Sequence, residues 1–166
     1  MGTKPPIEIL NTLHKCAEIE GVLGKIYDLF ADAYRENRDI CRLFEKTAGE
    51  ERNHEYQIRL AIKSLVPSIE AMTLTLEEAD KHLTMAQETL DWLTKATPGI
   101  KEALNISITL EAKFSRFHMD TAARFADQSC AKLFTAMMAA DEAHVAAMEK
   151  ALAEVRRTDA ALDRSK

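Results

Sequence analysis

Residues 44–54 read FEKTAGEERNH, and this stretch combines a helical pattern with polar side chains where core positions are expected. Thr47 and Ile58 lie on the apolar side of the predicted helix. Glu51 and His54 fill the positions between them on that side. Because a three-residue spacing puts two side chains on one helical face, we expect a carboxylate and an imidazole to point into the interior together.

The distribution of helix breakers predicts an all-α protein. The 166 residues include only five glycines and four prolines, and the prolines stand at positions 5, 6, 67 and 98. The long stretches between them contain no β-branched runs with a period of two, so they favour helices over strands. The length suits one domain, and a content of 46% apolar and 30% charged residues is that of a globular protein.

Charge and cysteine content argue against several classes of protein. Twenty-two basic and 27 acidic residues give a net charge of −5, which disfavours binding to nucleic acid or to an anionic membrane. No apolar run approaches the roughly 20 residues that a membrane span needs. The three cysteines include no C-x-x-C pair, so neither a disulfide framework nor a cysteine-rich metal site is expected. We expect a cytoplasmic protein that binds neither nucleic acid nor membrane.

Apolar residues that recur every three or four positions predict five helices. The predicted ranges are 7–34, 40–65, 76–93, 100–126 and 130–155. Short links at 36–39 and 127–129 make the first pair and the last pair antiparallel hairpins. The third helix lies in the long connection at 66–98, and its apolar stripe could cover the bundle or meet a second subunit.

Capping residues predict where these helices begin and end. Asn37 is expected to end the first helix and Asp39 to begin the second. Thr75-Leu76-Glu77-Glu78 has the form of a capping box. Residues 1–156 are expected to form the bundle, and residues 157–166 a charged tail that frays.

The four long helices each carry a ligand-type side chain near the middle of the apolar face. These side chains are Glu20 on the first helix, Glu51 and His54 on the second, Glu111 on the fourth, and Asp141 and His144 on the fifth. A carboxylate buried without a partner costs several kcal/mol. A buried ion-pair network would be an alternative, but lysine and arginine fall outside these faces.

Two divalent cations would balance the four carboxylates, and two neutral imidazoles would complete their coordination. Carboxylate oxygen with imidazole nitrogen suits iron or manganese and does not exclude zinc. Glu50 and Glu142 each precede or follow a ligand-type residue by one position and point about 100° away from it. They are interpreted as solvated side chains or as outer hydrogen-bonding partners.

Two of the candidate positions leave an alternative open. Glu18 competes with Glu20 on the first helix, but its helical neighbours are more polar, so Glu20 is favoured. Glu111 could instead be an inward charge satisfied by His118, two turns along. His118 lies about 10.5 Å from Glu111 along the helix axis, so we expect it to hydrogen-bond to the site or pack in the core.

Three stretches of the chain resemble rubrerythrin and its ferritin-like relatives. They are Glu20-x6-Tyr27, residues 44–54, and Asp141-Glu142-Ala143-His144. The resemblance covers about residues 10–152 and implies a ferritin-like four-helix bundle. An additional helix then lies in the long connection between the second and third helices of that bundle.

The resemblance also implies a role for each candidate ligand. Glu51 and Asp141 would bridge two metal ions per chain, which would be iron in the family, and His54 and His144 would each bind one ion. Glu20 and Glu111 would be terminal or semi-bridging ligands. Tyr27 would hydrogen-bond to the site from a neighbouring helix.

Three features depart from the family pattern. Asp141 is one methylene shorter than the usual glutamate. Rubrerythrins carry a second carboxylate on the third bundle helix, one turn from the first, where this sequence has Ile108 and Phe114. That carboxylate takes part in redox-linked ligand exchange, so its absence bears on peroxide reduction. No rubredoxin-type cysteine set is present, so electrons are expected from an external donor.

Three functions are compatible with these residues. The first is reduction of peroxide or O2 at a di-iron centre, and the second is ferroxidase-like iron oxidation and handling. The third is a non-catalytic, metal-stabilised interaction module. A homodimer is expected, since a dimer fits the rubrerythrin resemblance better than a large storage particle does.

Overall fold

The computed structural model describes residues 7–64, 72–122 and 128–163, and these residues form five helices without a strand. The helices are α1 (Ile7–Ala33), α2 (Arg38–Ser64), α3 (Leu76–Leu93), α4 (Ile100–Ala122) and α5 (Gln128–Asp163). Side chains near the end of α4 and at a few positions of α5 are also outside the description. The prediction of an all-α chain is confirmed.

The helices pack as a four-helix bundle with one helix in the connection, as predicted. α1 packs along α2, α4 packs along α5, and α2 also contacts α5. Between these two hairpins, α3 lies against α1 through Ala79, Leu83 and Ala86, which are all buried. The apolar stripe of α3 therefore covers the bundle and is not left over for a second subunit.

The cap of α2 differs from the prediction. Oδ1 of Asn37 accepts a hydrogen bond from the backbone N–H of Ile40 at 3.3 Å, so Asn37 is the N-cap of α2, directly before its first residue Arg38. The backbone N–H of Asn37 donates to the carbonyl of Tyr34 at 2.9 Å, and this turn holds Asn37 just before the helix. The prediction that Asn37 ends α1 and that Asp39 caps α2 was wrong, because Asp39 lies inside the first turn of α2.

The capping box of α3 is confirmed. Oγ1 of Thr75 accepts from the backbone N–H of Glu78 at 3.2 Å, and Oε2 of Glu78 accepts from the backbone N–H of Thr75 at 2.9 Å. These two bonds satisfy backbone donors that the first turn of a helix cannot pair internally.

The last helix is longer than predicted at both ends. α5 begins at Gln128 and continues to Asp163, past the predicted end at Val155. Val155 packs against the core, and Asp159 forms an ion pair with Lys101 at the start of α4, so further turns are held in place. The division into a bundle and a tail at residue 156 stays a prediction.

Two further predictions fall outside the described residues. They concern the end of the second helix at residue 65 and the end of the fourth helix at residue 126. Among the described helices, none combines the length and the apolar character that crossing a membrane requires.

Candidate metal centre

The six predicted ligand side chains are brought together in the middle of the bundle. Each has at most 4% of its surface exposed, although the four carboxylates among them belong to residue types that are rarely buried completely. They come from four helices: Glu20 from α1, Glu51 and His54 from α2, Glu111 from α4, and Asp141 and His144 from α5. Each of these side chains lies on the apolar face of its helix. When the apolar faces pack against one another, the six side chains are therefore brought close together.

The donor atoms of these side chains form two groups that share one residue. Glu20, Glu51 and His54 offer three donor atoms within 4.8 Å of one another. Four donor atoms of Glu51, Glu111, Asp141 and His144 lie within the same limit. Glu51 therefore stands between the two groups.

Asp141 also lies close to both groups. It belongs to the second group, and its Oδ1 is 3.7 Å from Nδ1 of His54 in the first. The shorter side chain of aspartate thus still reaches the space between the two histidines. This position is compatible with the bridging role that the family resemblance implies for Asp141, and that role stays a prediction.

Both histidines direct Nδ1 towards the carboxylates. Nδ1 of His54 is 3.4 Å from Glu51 and 3.7 Å from Glu20. Nδ1 of His144 is 3.1 Å from Glu51 and 3.5 Å from Glu111. The same nitrogen of each ring is therefore the one available to a metal ion.

Glu50 contacts the opposite nitrogen of His144. Oε2 of Glu50 is 2.6 Å from Nε2 of His144, and the Glu50 side chain is 37% exposed. The sequence predicted that Glu50 is either solvated or an outer hydrogen-bonding partner. In the structure it is both, since it is partly exposed to solvent and contacts His144. Only the crossing of α2 and α5 brings the two side chains together, so no sequence spacing could have identified the pair.

Tyr27 reaches the site from α1. Its hydroxyl donates to Oε1 of Glu111 at 2.5 Å, and its ring is buried and stacked 6.1 Å from the ring of Phe44. The partners of Glu111 in the described part of the chain are thus Tyr27 and His144. The side chain of His118 lies outside the described residues.

The model of the protein family described as Rubrerythrin matches residues 12–152, which is most of the chain. The chain belongs to the rubrerythrin family. Comparisons with curated proteins and with solved structures give no significant match. The family membership and the buried cluster of carboxylates and histidines together indicate a metal site.

The carboxylates of this rubrerythrin-family chain have raised pKa values when no cation is present. Burial raises the pKa of Glu51, and the nearby charge of Glu20 raises it further. Burial also raises the pKa of Glu111 to about 7. Both carboxylates would be ionised more easily next to a divalent cation, which supplies the charge that water would otherwise stabilise.

The two histidines also have raised pKa values, although burial acts in the other direction on them. Burial by itself lowers the pKa of His54, but hydrogen bonding and charge from Glu20 and Glu51 raise it to about 10. Burial likewise lowers the pKa of His144, while Glu111 and Glu51 raise it to about 11. Without metal, protons on the imidazoles therefore neutralise part of the carboxylate charge.

Two facing polar atoms of the cluster are buried without an aligned hydrogen bond. Within the described residues, neither Oε1 of Glu51 nor Nδ1 of His144 has a hydrogen-bond partner, although the atoms are 3.1 Å apart. A buried polar atom without a partner costs about 1 to 3 kcal/mol. Oxygen and imidazole donors held in this way fit iron, manganese or zinc.

α4 contributes one carboxylate to the described part of the site. Phe114 is buried and Ile108 is half-buried at the positions one turn from Glu111. Ser107 is also fully buried on the preceding turn, but its hydroxyl donates to the carbonyl of Ala103 at 2.8 Å. The described donor set is therefore four carboxylates and two imidazoles.

Proposed function

We propose that this rubrerythrin-family protein binds two iron ions and uses them to reduce peroxide or O2. The observation that carries the proposal is the position of Glu51 between two buried groups of donor atoms. One shared carboxylate with separate histidines on either side is the arrangement that a pair of ions requires. Four carboxylates would also balance the charge of two ferrous ions.

A bound pair of ferrous ions would supply two electrons and open coordination positions for the oxidant. Peroxide takes up two electrons and two protons when its oxygen–oxygen bond breaks, and it yields two molecules of water. The electrons must then be returned by a donor protein or small reductant from outside the chain. The two groups of donors also predict two ions per chain.

The protein's own residues would hold the oxidant site dry and keep its ligands oriented. Tyr27 holds one oxygen of Glu111, and Glu50 holds the outer nitrogen of His144. Apolar side chains close the space around the cluster, with Phe44, Met137 and Met148 almost completely buried. Such packing keeps reactive oxygen species away from solvent.

Iron oxidation and handling is the second candidate function. It is favoured by the single described carboxylate of α4, because Phe114 occupies a position where a second carboxylate would support ligand exchange. In that case the ions would be oxidised and released as products. Iron would then be the substrate of the protein and not a resident cofactor.

An anaerobic titration of apo-protein with ferrous iron tests iron binding, which both candidate functions require. We expect saturation near two ions per chain, and we expect loss of this binding in the double variant His54→Ala/His144→Ala. A matched control is His14→Ala/His82→Ala, which removes one exposed and one half-buried imidazole that lie outside the cluster. Absence of stoichiometric iron binding to the folded wild-type protein would refute both functions.

Turnover separates the two candidates. If the iron is a resident cofactor, repeated additions of peroxide and reductant should be consumed catalytically with no loss of iron from the chain. If iron is the substrate, oxidation should stop after the bound ferrous ions are consumed and resume only with fresh ferrous iron.

A further inference from the structure

A group of four aromatic rings extends from the metal site to one end of the bundle. Each of the four residues has at most 9% of its surface exposed. They are Tyr27 and Phe30 on α1, Tyr34 directly after the last residue of α1, and Phe44 on α2, and they are called the aromatic cluster below. None of them is a candidate metal ligand, but Tyr27 contacts one of the ligands.

The ring of Phe44 links the two tyrosines of the aromatic cluster. Its centroid is 6.1 Å from that of Tyr27 and 6.2 Å from that of Tyr34. Phe30 adds a second contact, since its ring lies 5.0 Å from that of Phe44 and 6.3 Å from that of Tyr34. These separations are those of aromatic rings in contact. Seven residues along a helix span about 10.5 Å, so Phe44 divides the distance between the tyrosines into two short steps.

The two tyrosine hydroxyls lie at opposite ends of this path. The hydroxyl of Tyr27 donates to Oε1 of Glu111, a candidate ligand, at 2.5 Å. The hydroxyl of Tyr34 donates to the carbonyl of Pro98 at 2.6 Å, in the connection between α3 and α4. The residues on either side of Pro98 are exposed. One end of the path therefore contacts the metal site, and the other lies just beneath the surface.

Both hydroxyls have a way to lose a proton, and a tyrosine that gives up one electron must also release its phenolic proton. Oε1 of Glu111 is within hydrogen-bond distance to accept the proton of Tyr27 and to return it. The carbonyl that accepts from Tyr34 cannot keep a proton, but water at the nearby surface can take it. The phenyl ring of Phe44 has no such proton and is harder to oxidise, so it transmits electrons only by contact.

We propose that Tyr27 and Tyr34 form an electron relay between the metal site and the end of the bundle. Reduction of O2 to two molecules of water takes four electrons and four protons, and a pair of ferrous ions supplies only two of the electrons. Tyr27 and Tyr34 supply one electron each and become neutral tyrosyl radicals. Their hydroxyls release two protons, and two more come from solvent. This inference rests on the proposed function and states how the site completes the reduction of O2 without releasing peroxide.

The contacts give the order of the transfers. Tyr27 is next to the site, so it is oxidised first and its proton moves to Glu111. Tyr34 then gives an electron to the Tyr27 radical across the ring of Phe44, and the proton returns from Glu111 to Tyr27. Tyr27 is thereby restored and supplies the second electron. A one-electron reductant such as ascorbate restores both tyrosines through Tyr34, each with one electron and one proton.

Electron paramagnetic resonance tests the relay on the full chain. Protein that has been shown anaerobically to hold two ferrous ions per chain is mixed with O2 and frozen after a series of reaction times. The wild-type protein should give a tyrosyl radical signal and release little hydrogen peroxide. In Tyr27→Phe the signal should be lost. One hydrogen peroxide should then be released for every two ferrous ions oxidised, since O2 receives only two electrons.

Two further variants test the path beyond Tyr27. Tyr34→Phe keeps the ring but removes the hydroxyl, and Phe44→Leu removes the ring between the two tyrosines. In both variants the radical should stay on Tyr27 and decay more slowly with ascorbate than it does in the wild-type protein. Circular dichroism and thermal melting establish that each variant folds, and Tyr34→Phe tests the path even if Phe44→Leu does not fold.

The other oxidisable rings of the chain provide matched controls. The chain has three tyrosines and one tryptophan, so Tyr56 and Trp92 complete the set. Tyr56 is 65% exposed on α2, and Trp92 is 44% exposed beside a groove between α3 and α4. Tyr56→Phe and Trp92→Phe should change neither the radical signal nor the release of peroxide.

Distinct results would overturn the relay and the proposed function. A protein that binds two ferrous ions and reacts with O2 without forming a tyrosyl radical has no relay, although its iron site stands. A radical that persists in Tyr27→Phe, or unchanged peroxide release in that variant, assigns the radical to another residue or to a side reaction. Decay with ascorbate that neither Tyr34→Phe nor Phe44→Leu slows shows that electrons enter by another route. Absence of iron binding in the anaerobic titration would refute the proposed function and the relay together.

Discussion

Oε2 of Glu50 on α2 lies 2.6 Å from Nε2 of His144 on α5, and this contact orients the histidine towards the centre of the bundle. With Nε2 held by the carboxylate, Nδ1 faces Glu51 and Glu111. A carboxylate behind a metal-binding imidazole selects the tautomer and increases the basicity of the inner nitrogen. On α5 the residue that precedes Asp141 is Ala140, so the equivalent position there provides no carboxylate.

Glu50→Ala should weaken metal binding without removing a ligand. We expect an affinity loss of about tenfold to a hundredfold, which is the usual effect of losing an outer hydrogen bond to a metal ligand. Glu50→Gln keeps an acceptor oxygen and should recover part of the affinity. Competition with a chromophoric chelator measures both, and Glu45→Ala on the exposed side of α2 is the control. Equal affinities for Glu50→Ala and wild type would contradict the positioning role.

Tyr27→Phe should destabilise the metal-free protein. The variant keeps the buried ring and its stacking on Phe44, but it leaves Oε1 of Glu111 without its tyrosine donor. We expect a loss of about 1 to 3 kcal/mol in the free energy of unfolding, measured with urea. Tyr56→Phe removes a hydroxyl from a ring that is 65% exposed, and it should change the free energy little. Equal losses in both variants would show that the Tyr27 hydrogen bond is not the cause.

Removing metal should lower the thermal stability of the chain. Ions that bind only the folded state stabilise it, by about 2.7 kcal/mol at a free concentration one hundred times the dissociation constant. Melts with iron, zinc or manganese and with excess chelator measure the difference. In His54→Ala/His144→Ala the difference should disappear. Identical melts of the wild-type protein with and without chelator would count against the site.

The metal-free protein should lose stability as pH rises. Glu111 has a pKa of about 7 in the folded chain against its usual 4.5, so between these pH values the folded state binds more protons than the unfolded state. The free energy of unfolding therefore falls as pH rises from 4.5 to 7. His54 and His144 have pKa values of about 10 and 11 in the folded chain, so they extend this loss of stability from pH 6.5 to higher pH. Urea unfolding of apo-protein at several pH values within this window measures the slope.

Metal binding should show the reverse dependence on pH. Ions replace the protons on His54, His144 and Glu111, so apparent metal affinity should increase from pH 4.5 upward as fewer protons have to be displaced. Isothermal titration in buffers of different ionisation enthalpy counts the protons released. Binding without proton release at neutral pH would contradict the assignment of these side chains as ligands.

The helices could be predicted from the sequence because their signals are local. Breakers, apolar periodicity and the Thr75–Glu78 box act over a few residues, and the structure agrees with them. The ends were harder to predict. Asn37 caps α2 because of a turn with Tyr34, and α5 continues past Val155 because Asp159 meets Lys101 on another helix. The contact between Asp159 and Lys101 joins residues far apart in sequence. The turn at Asn37 is local, but Asn37 and Asp39 are both residue types that cap helices, so residue type did not decide between them.

The sequence by itself determined which polar side chains would be buried. Glu20, Glu51, Glu111 and Asp141 interrupt apolar helix faces, and burial of those faces takes the carboxylates into the core, since the hydrophobic effect acts on the whole face. Only the tertiary structure decided what each one contacts. The angles at which helices cross bring Glu50 to His144 and Tyr27 to Glu111, and they place Trp92 beside α4. Those angles result from the packing of all the side chains at once, which no spacing along one helix records.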